Sequence, residues 1–263
     1  MRTLVSVVVF LALAVPARAA TGILAIGDFG VGGERERQVG GALRAYEEAH
    51  PAELLLTLGD NDYTRGRAFE ASWQASFGWL AEAGVDVAGT LGNHDGRYEL
   101  GTLQMPGTYY TRRAGDVQIF VLNSNAIGSR QTRWLRGALA ASTAPWKIAV
   151  LHHPPYTCGG HLGGIGVRRA WRPVFERYHV RLVLSGHDHN YQRFAPVRGV
   201  TYVVHGGGGA GLYALKACPR GYPRRIAGRV AHGFLYLEAS PEVLVVRAVS
   251  LDGATVDGFT LRP

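Results

Sequence analysis

Five apolar runs in this 263-residue sequence each stop at a short cluster of polar side chains. The most informative cluster is Gly186-His187-Asp188-His189, which follows the apolar run at 182–184. Two histidines two residues apart at the end of a strand can converge on metal, because the carboxyl ends of strands share one edge of a sheet. The other four runs, at 24–26, 54–58, 87–91 and 148–151, lead into Gly27-Asp28, Gly59-Asp60-Asn61-Asp62-Tyr63, Gly92-Asn93-His94-Asp95 and His152-His153. Together these strand ends predict a dinuclear metal site.

The donor types in these clusters suit two hard cations. Asp60 has two carboxylate oxygens and can bridge the ions, while the other oxygen and nitrogen donors come from Asp28, Tyr63, Asn93, His153, His187 and His189. A phenol binds as phenolate only to a strongly acidic ion, so Tyr63 favours Fe(III) beside a divalent ion. Such a pair carries about five positive charges and attracts a phosphate ester. Two ions about 3.5 to 4 Å apart can activate a bound hydroxide for attack in line with the leaving group.

The clusters resemble, in order, the motifs GDxG, GDxxY, GNH(D/E), VxxH and GHxH of the purple acid phosphatases, with a match that runs from Gly27 to about Phe194. Wider dinuclear phosphoesterases usually have Asp-x-His in the first motif, whereas this chain has Gly30 at that place and Tyr63 in the second motif. The chain is most similar to the small, mammalian-type form of the family. The resemblance implies a metallophosphoesterase-like four-layer α/β/β/α sandwich and an acid phosphatase that hydrolyses small phosphate monoesters.

Carried over to this chain, the resemblance implies one group of ligands for each ion. Fe(III) would be held by Asp28, Tyr63 and His189, and a divalent Fe, Zn or Mn ion by Asn93, His153 and His187, with Asp60 shared. His94 would face the substrate and protonate or orient the leaving group. His161 lies about one residue from the position of a second substrate-facing histidine.

Several further polar residues have weaker assignments. Strand alternation turns His152 away from His153, which favours a packing role or support of a ligand. Asp95 and Asp188 are predicted to support neighbouring ligands. His205 follows a strand closely enough to be a candidate, without an assigned role.

The composition predicts one exported catalytic domain. An apolar run at 4–15 followed by Pro16-Ala17-Arg18-Ala19-Ala20 is typical of a signal peptide over residues 1–20, which leaves 21–263 as the catalytic domain of a secreted, extracellular or periplasmic protein. The run is too short for a comfortable membrane span. In an oxidising compartment Cys158 and Cys218 can pair; the alternative, a thiolate ligand, is disfavoured beside oxygen and imidazole donors.

The net charge of +8 attracts anions, but the scattered arginines form no recognisable nucleic-acid motif. We therefore expect a small phosphate ester, and no specific nucleic acid, as partner. A monomer is the default expectation.

The periodicity of the chain predicts an α/β fold with two packed sheets and helices outside. A β-α-β-α-β unit is expected over 24–91, with helices at 34–49 and within 68–83. A strand pair at 108–123, a helix at 131–141, a strand at 146–151 and a helix at 168–178 follow. The four apolar runs after residue 199 predict an antiparallel second sheet.

Two other functions remain open at this stage. One is a phosphodiesterase, or a general Zn or Mn metallophosphoesterase, that acts on nucleotides or lipid head groups at the same site. The other is an exported binding protein without catalysis on the same scaffold, which the full set of ligands disfavours.

Overall fold

The computed structural model describes residues 20–263, so the predicted signal peptide lies outside the described residues except for Ala20. Two mixed sheets, of six and seven strands, confirm the predicted fold class. Within 20–263 no helix has the length and apolar character needed to cross a membrane.

The six-stranded sheet has the order β13-β12-β11-β1-β2-β3. Its parallel half is the predicted β-α-β-α-β unit, which consists of β1 (Thr21–Ile26), α1 (Gly33–Ala49), β2 (Leu54–Thr57), α2 (Phe69–Phe77), α3 (Trp79–Ala83) and β3 (Asp86–Ala88). Its antiparallel half comes from the end of the chain and consists of β11 (Gly233–Ala239), β12 (Leu244–Ser250) and β13 (Thr255–Leu261). The prediction that the four tail runs form a separate antiparallel sheet is wrong. β11 pairs with β1 and extends the first sheet, and the run at 200–204 pairs in parallel with Leu182–Ser185 in the other sheet.

The seven-stranded sheet has the order β10-β8-β9-β7-β6-β5-β4. Its strands and helices are β4 (Tyr110–Ala114), β5 (Val117–Val121), α4 (Ser129–Ala141), β6 (Trp146–Val150), α5 (Ile165–Ala170), α6 (Arg172–Arg177), β7 (Leu182–Ser185), β8 (Tyr191–Phe194), β9 (Thr201–His205) and β10 (Arg225–Arg229). Strands β5, β6, β7 and β9 are parallel to one another, while β4, β8 and β10 are antiparallel to their neighbours. The predicted helix at 168–178 is two short helices, and a 3-10 turn occupies Arg97–Glu99.

The central strands of the second sheet are apolar on both faces, which produces the layered architecture. On β6, Ile148 and Val150 pack in the core that the two sheets share, whereas Ala149 and Leu151 pack in a second core with α4, α5 and α6. Both faces are fully buried, as parallel strands covered on each side require. The loops at the carboxyl ends of these strands carry the polar clusters.

Candidate metal centre

The two aspartates that follow β1 and β2 share one space at the edge of the first sheet. Asp28 and Asp60 have left-handed backbones, with φ of 60° and 53°. The amide of Asp28 donates to the carbonyl of Gly59 at 2.9 Å, which joins the two loops. Left-handed residues other than glycine cost of order 1–3 kcal/mol each and concentrate at functional sites. The fold therefore stabilises a strained pair of turns that brings both carboxylates together.

Four of the predicted ligands converge around the phenol of Tyr63. Its Oη lies 3.2 Å from Oδ2 of Asp60, 3.2 Å from Nε2 of His189 and 3.5 Å from Oδ1 of Asp28. Nε2 of His189 is also 3.4 Å from Oδ1 of Asp28. The other nitrogen of His189, Nδ1, is 2.7 Å from the carbonyl oxygen of Gly211, which orients the ring and leaves Nε2 facing the carboxylates. Three oxygens and one nitrogen thus surround a space suited to one cation.

A second group of donors lies on the other side of Asp60 and is centred on His152. Nε2 of His152 lies 3.1 Å from Oδ1 of Asn93, 3.2 Å from Nδ1 of His187 and 3.4 Å from Oδ1 of Asp60. Nδ1 of His152 donates to the carbonyl oxygen of Leu58 at 2.9 Å, so Nε2 is the free nitrogen. Asp60 faces this group with Oδ1 and the Tyr63 group with Oδ2. A carboxylate with one oxygen in each group is placed to bridge two ions.

The packing or supporting role predicted for His152 does not match its position, because its side chain lies inside the cluster. Its side chain is fully buried and belongs to both sets of residues with metal-ligating geometry within 20–263, one with Asp28 and Asp60 and one with His153 and His187. Alternation does not separate the two histidines, because β6 ends at Val150 and both follow it in a bend, with ring centres 5.0 Å apart.

His153 lies on the outer side of the same cluster. Its ring centre is 4.5 Å from that of His187, and its Nδ1 is 2.9 Å from Oγ of Ser124. Burial, together with the charge of the neighbouring His152, lowers the pKa of His153 to about 4, so the ring is neutral. The structure thus brings His153 near the cluster, while His152 has the direct contacts with Asp60 and Asn93. The adjacent histidines gave no signal in the sequence that could separate these two positions.

The electrostatics of the cluster suit bound cations. Burial raises the pKa of Asp28, which is fully buried. The ion-pair partners of Asp28 and Asp60 within the described chain are His189 and His152, each at 3.4 Å. Burial alone would raise the pKa of Asp60, but the hydrogen bond and charge of His152 hold it below its usual range. Buried carboxylates without lysine or arginine partners fit the chemistry of a metal site.

The pKa values of two histidines in the cluster are shifted in opposite directions. Burial and the nearby His152 lower the pKa of His187 to about 2. Burial opposes the charged form of His152 as well, yet the hydrogen bond to Asp60 and the charges of Asp28 and Asp60 raise its pKa to about 9. Metal ligation requires neutral imidazole, so an ion would take the place of this proton. The residues present therefore fit a dinuclear centre.

The two histidines predicted to face substrate lie at the rim. His94 is exposed, its amide donates to Oδ1 of Asp60 at 3.0 Å, and its ring centre is 4.6 Å from that of Tyr63. The ring of His161 stacks on His187 with centres 4.1 Å apart and an interplanar angle of 25°. Both rings are placed to reach a molecule above the cluster, and their roles stay predictions.

Asp95 and Asp188 hold the loops that carry the donors. Asp95 accepts from the amide of Asn61 at 2.7 Å and from that of Gly92 at 2.6 Å, which joins the loops of Asp60 and Asn93. Buried Asp188 accepts from the amide of Gly160 at 2.8 Å and from the hydroxyl of Thr157.

The segment before His161 is fixed a second time by the disulfide between Cys158 and Cys218, so the predicted pairing is confirmed. Tyr213 lies in the loop that leads to Cys218, and its ring stacks on that of His189 with ring centres 4.3 Å apart and an interplanar angle of 10°. Nothing in the sequence pattern indicated this contact, because Tyr213 lies in an irregular loop. His205 is fully buried, its pKa is lowered to about 4 by burial, and it is absent from the metal-ligating groups found within 20–263.

The two-sheet sandwich and its cluster of strand-end donors define a metallophosphoesterase fold. Residues 21–191 match the family model described as calcineurin-like phosphoesterase, and the chain belongs to that family. Tartrate-resistant acid phosphatase type 5 of mouse is 26% identical over 255 residues, which cover 78% of this chain and 77% of that protein. Purple acid phosphatase 1 of Ipomoea batatas is 31% identical over 104 residues, 36% of this chain and 22% of the plant protein. These matches confirm the resemblance to the purple acid phosphatases.

Solved structures show the same fold. A purple acid phosphatase from yellow lupin superimposes with a TM-score of 0.78 at 18% identity over 93% of this chain and 54% of the lupin chain. GAP50 of Plasmodium, described as the anchor in the inner membrane complex, has a TM-score of 0.78 at 15% identity over 93% of this chain and 89% of its own.

An uncharacterised protein of Mycobacterium tuberculosis is 30% identical in sequence over 116 residues, and the match spans 22% of its length.

Proposed function

We propose that this chain is a secreted acid phosphatase that hydrolyses phosphate monoesters at a dinuclear Fe(III)–divalent metal centre. The observation that carries the proposal is the position of Tyr63, whose phenol lies 3.2 Å from both Asp60 and His189. A buried phenol beside two carboxylates has a raised pKa, from burial first and from the charges of Asp28 and Asp60 second. Only a strongly acidic ion would convert it to phenolate, which favours Fe(III) over a divalent ion at this position.

The proposed ligands fall into two groups around Asp60. Fe(III) would be held by Asp28, Tyr63 and His189, and the divalent Fe, Zn or Mn ion by Asn93, His187 and His152. His152 takes the place predicted for His153, because it contacts Asn93 at 3.1 Å and Asp60 at 3.4 Å. The pair of ions would supply positive charge for the phosphoryl oxygens and lower the pKa of a bound water.

The protein side chains around the centre would position the ester and the proton. His94 and His161 flank the cluster from two loops, and an imidazole there can donate a proton to the oxygen of the leaving group. Tyr213 and the carbonyl of Gly211 keep His189 in one orientation. Asp95 holds the loops of Asp60 and Asn93 at a fixed separation, which sets the distance between the two groups of donors.

The proposal is tested by metal analysis and a visible spectrum of the purified mature chain, before and after Tyr63→Phe. We expect iron with a second metal and a broad tyrosinate-to-iron absorption band that Tyr63→Phe removes. Tyr178→Phe, at the end of α6 on the outer side of the second sheet, is the matched control and should keep the band. A colourless oxidised protein with two Zn or Mn ions would refute the Fe(III) assignment.

Turnover assays separate the remaining alternatives. A monoester should be hydrolysed faster than a diester with the same leaving group. A reversed preference would indicate a phosphodiesterase. Two bound metals without turnover of any ester would favour a binding protein, a role compatible with the described anchor function of the Plasmodium protein of this fold.

A further inference from the structure

A cleft of about 640 Å³ opens beside the divalent side of the metal centre. Asn93 and His153 form the wall next to the centre. The opposite walls come from Ser124, Asn125 and Ile127 in the loop that follows β5, and from Gly164, Gly166 and Val167 at the start of α5. A volume of this size accommodates a small organic molecule. The organic part of a phosphate ester bound at the centre would extend into this space.

Two large aliphatic side chains, Ile127 and Val167, line the cleft from its two opposite walls. Ile127 is one of seven large hydrophobic residues exposed within 20–263, with 37% of its surface accessible. A Cβ placed on Gly166 would lie 3.1 Å from Cδ1 of Ile127, so the loops touch across the cleft. An exposed apolar side chain at a concave site is typical of a ligand contact.

The same cleft offers little to a charged leaving group. Neither arginine nor lysine lines it within the described chain. The carboxylate of Asp95 is engaged by the amides of Gly92 and Asn61, and the side-chain amide of Asn125 donates to the carbonyl of Gly92 at 2.7 Å. A leaving group with additional phosphates would enter without a cation to balance it.

We propose that Ile127, together with Gly164, Gly166 and Val167 across the cleft, forms a subsite that selects esters with an uncharged, apolar organic group. The proposal rests on the phosphatase function proposed above and names its substrate class. In the reaction, the bond between phosphorus and the ester oxygen breaks, a water oxygen bonds to phosphorus, and a proton passes to the ester oxygen. The products are inorganic phosphate and a neutral alcohol, which the apolar walls hold until release.

The test compares benzyl phosphate with methyl phosphate, whose leaving alkoxides have similar basicity, so the ratio of kcat/KM reports contact with the organic group. We expect the wild type to favour benzyl phosphate by about tenfold or more. Ile127→Ser should reduce this ratio about fivefold. Val256→Ser, at an exposed position of β13, is the matched control and should leave the ratio unchanged. Conversely, Ile127→Arg should improve kcat/KM for an alkanediol bisphosphate relative to methyl phosphate.

A wild-type ratio near one, or a ratio that Ile127→Ser does not change, would overturn the subsite while the phosphatase function stands. Absence of turnover for both esters would instead refute the phosphatase function. In that event, calorimetry on the metal-loaded protein with benzylphosphonate and methylphosphonate decides the subsite. Tighter binding of benzylphosphonate that Ile127→Ser abolishes supports it, and equal binding overturns it.

Discussion

Replacing His152 by leucine tests whether this residue, and not its neighbour His153, holds the divalent ion. Nε2 of His152 is within 3.4 Å of donor atoms on Asp60, Asn93 and His187, so leucine removes one nitrogen from the middle of that group. Loss of a residue that only supports a ligand typically costs 10–100-fold in metal affinity or activity. Loss of a direct donor should cost more, about 10³-fold in affinity, and lower the metal content from about two ions per chain to about one.

His153→Leu is the matched control, since it makes the same substitution one residue away. Its ring contacts His187 and Ser124 at the wall of the cleft, so the variant should keep about two ions and lose activity only moderately, by about tenfold. Metal content after dialysis and kcat/KM for a monoester are the readouts, with circular dichroism to confirm folding of both variants. The reasoning is refuted if His153→Leu loses an ion while His152→Leu retains both.

Arg193 on β8 pairs with Asp257 on β13 and joins the two sheets, with its Nε 2.7 Å from Oδ2 and its Nη2 3.0 Å from Oδ1. Asp257→Asn should therefore lower the free energy of unfolding, measured in urea, by about 1–3 kcal/mol. Burial opposes ionisation of Asp257, but the hydrogen bond to Arg193 lowers its pKa below the unfolded value near 3.9. The stability advantage of the wild type is therefore present above about pH 5 and declines as the pH falls toward the lower folded pKa. An advantage that shows no decline as the pH falls below about 4 would contradict this account. Gly186→Ala should cost about 10–100-fold in metal affinity, measured by titration, because its Cβ would lie 2.4 Å from Oδ2 of Asp28. Gly137→Ala in α4, where a Cβ meets nothing within 4 Å, should leave metal binding intact; equal losses in both variants would refute the steric argument.

The parts of the fold with local signals were predicted well. The alternation of apolar runs and helical periodicity over 24–91 predicted the parallel unit of β1, β2 and β3, because each element there has its own pattern and turn residues. Strands β8 and β10 were missed. β10, Arg225–Arg229, is an edge strand with arginine at both ends, so its strand conformation depends on pairing with β8 and not on a periodic apolar face.

Strand pairing was harder to predict from the sequence than the strands themselves. The four tail runs were predicted as strands, and the antiparallel pairing among the last three is as expected. Their membership of the first sheet, and the parallel pairing of β9 with β7, were not predicted. Alternation of apolar residues indicates that a strand has a buried face. It does not state which edge of which sheet receives the strand, since that choice depends on contacts more than 190 residues apart, such as Thr21 with Ala239.

The same distinction applies to the metal centre. The sequence alone determined which strand ends carry donors. Strand alternation predicted that His152 and His153 are separated, but β6 ends at Val150 and both rings have nitrogen atoms in one group with His187. The sequence did not determine on which side of the metal cluster each histidine lies, because β6 is apolar on both faces and lies between two cores. Only the packing of the second sheet against the first decided that side, and it placed His152 beside Asp60 and His153 at the wall of the cleft.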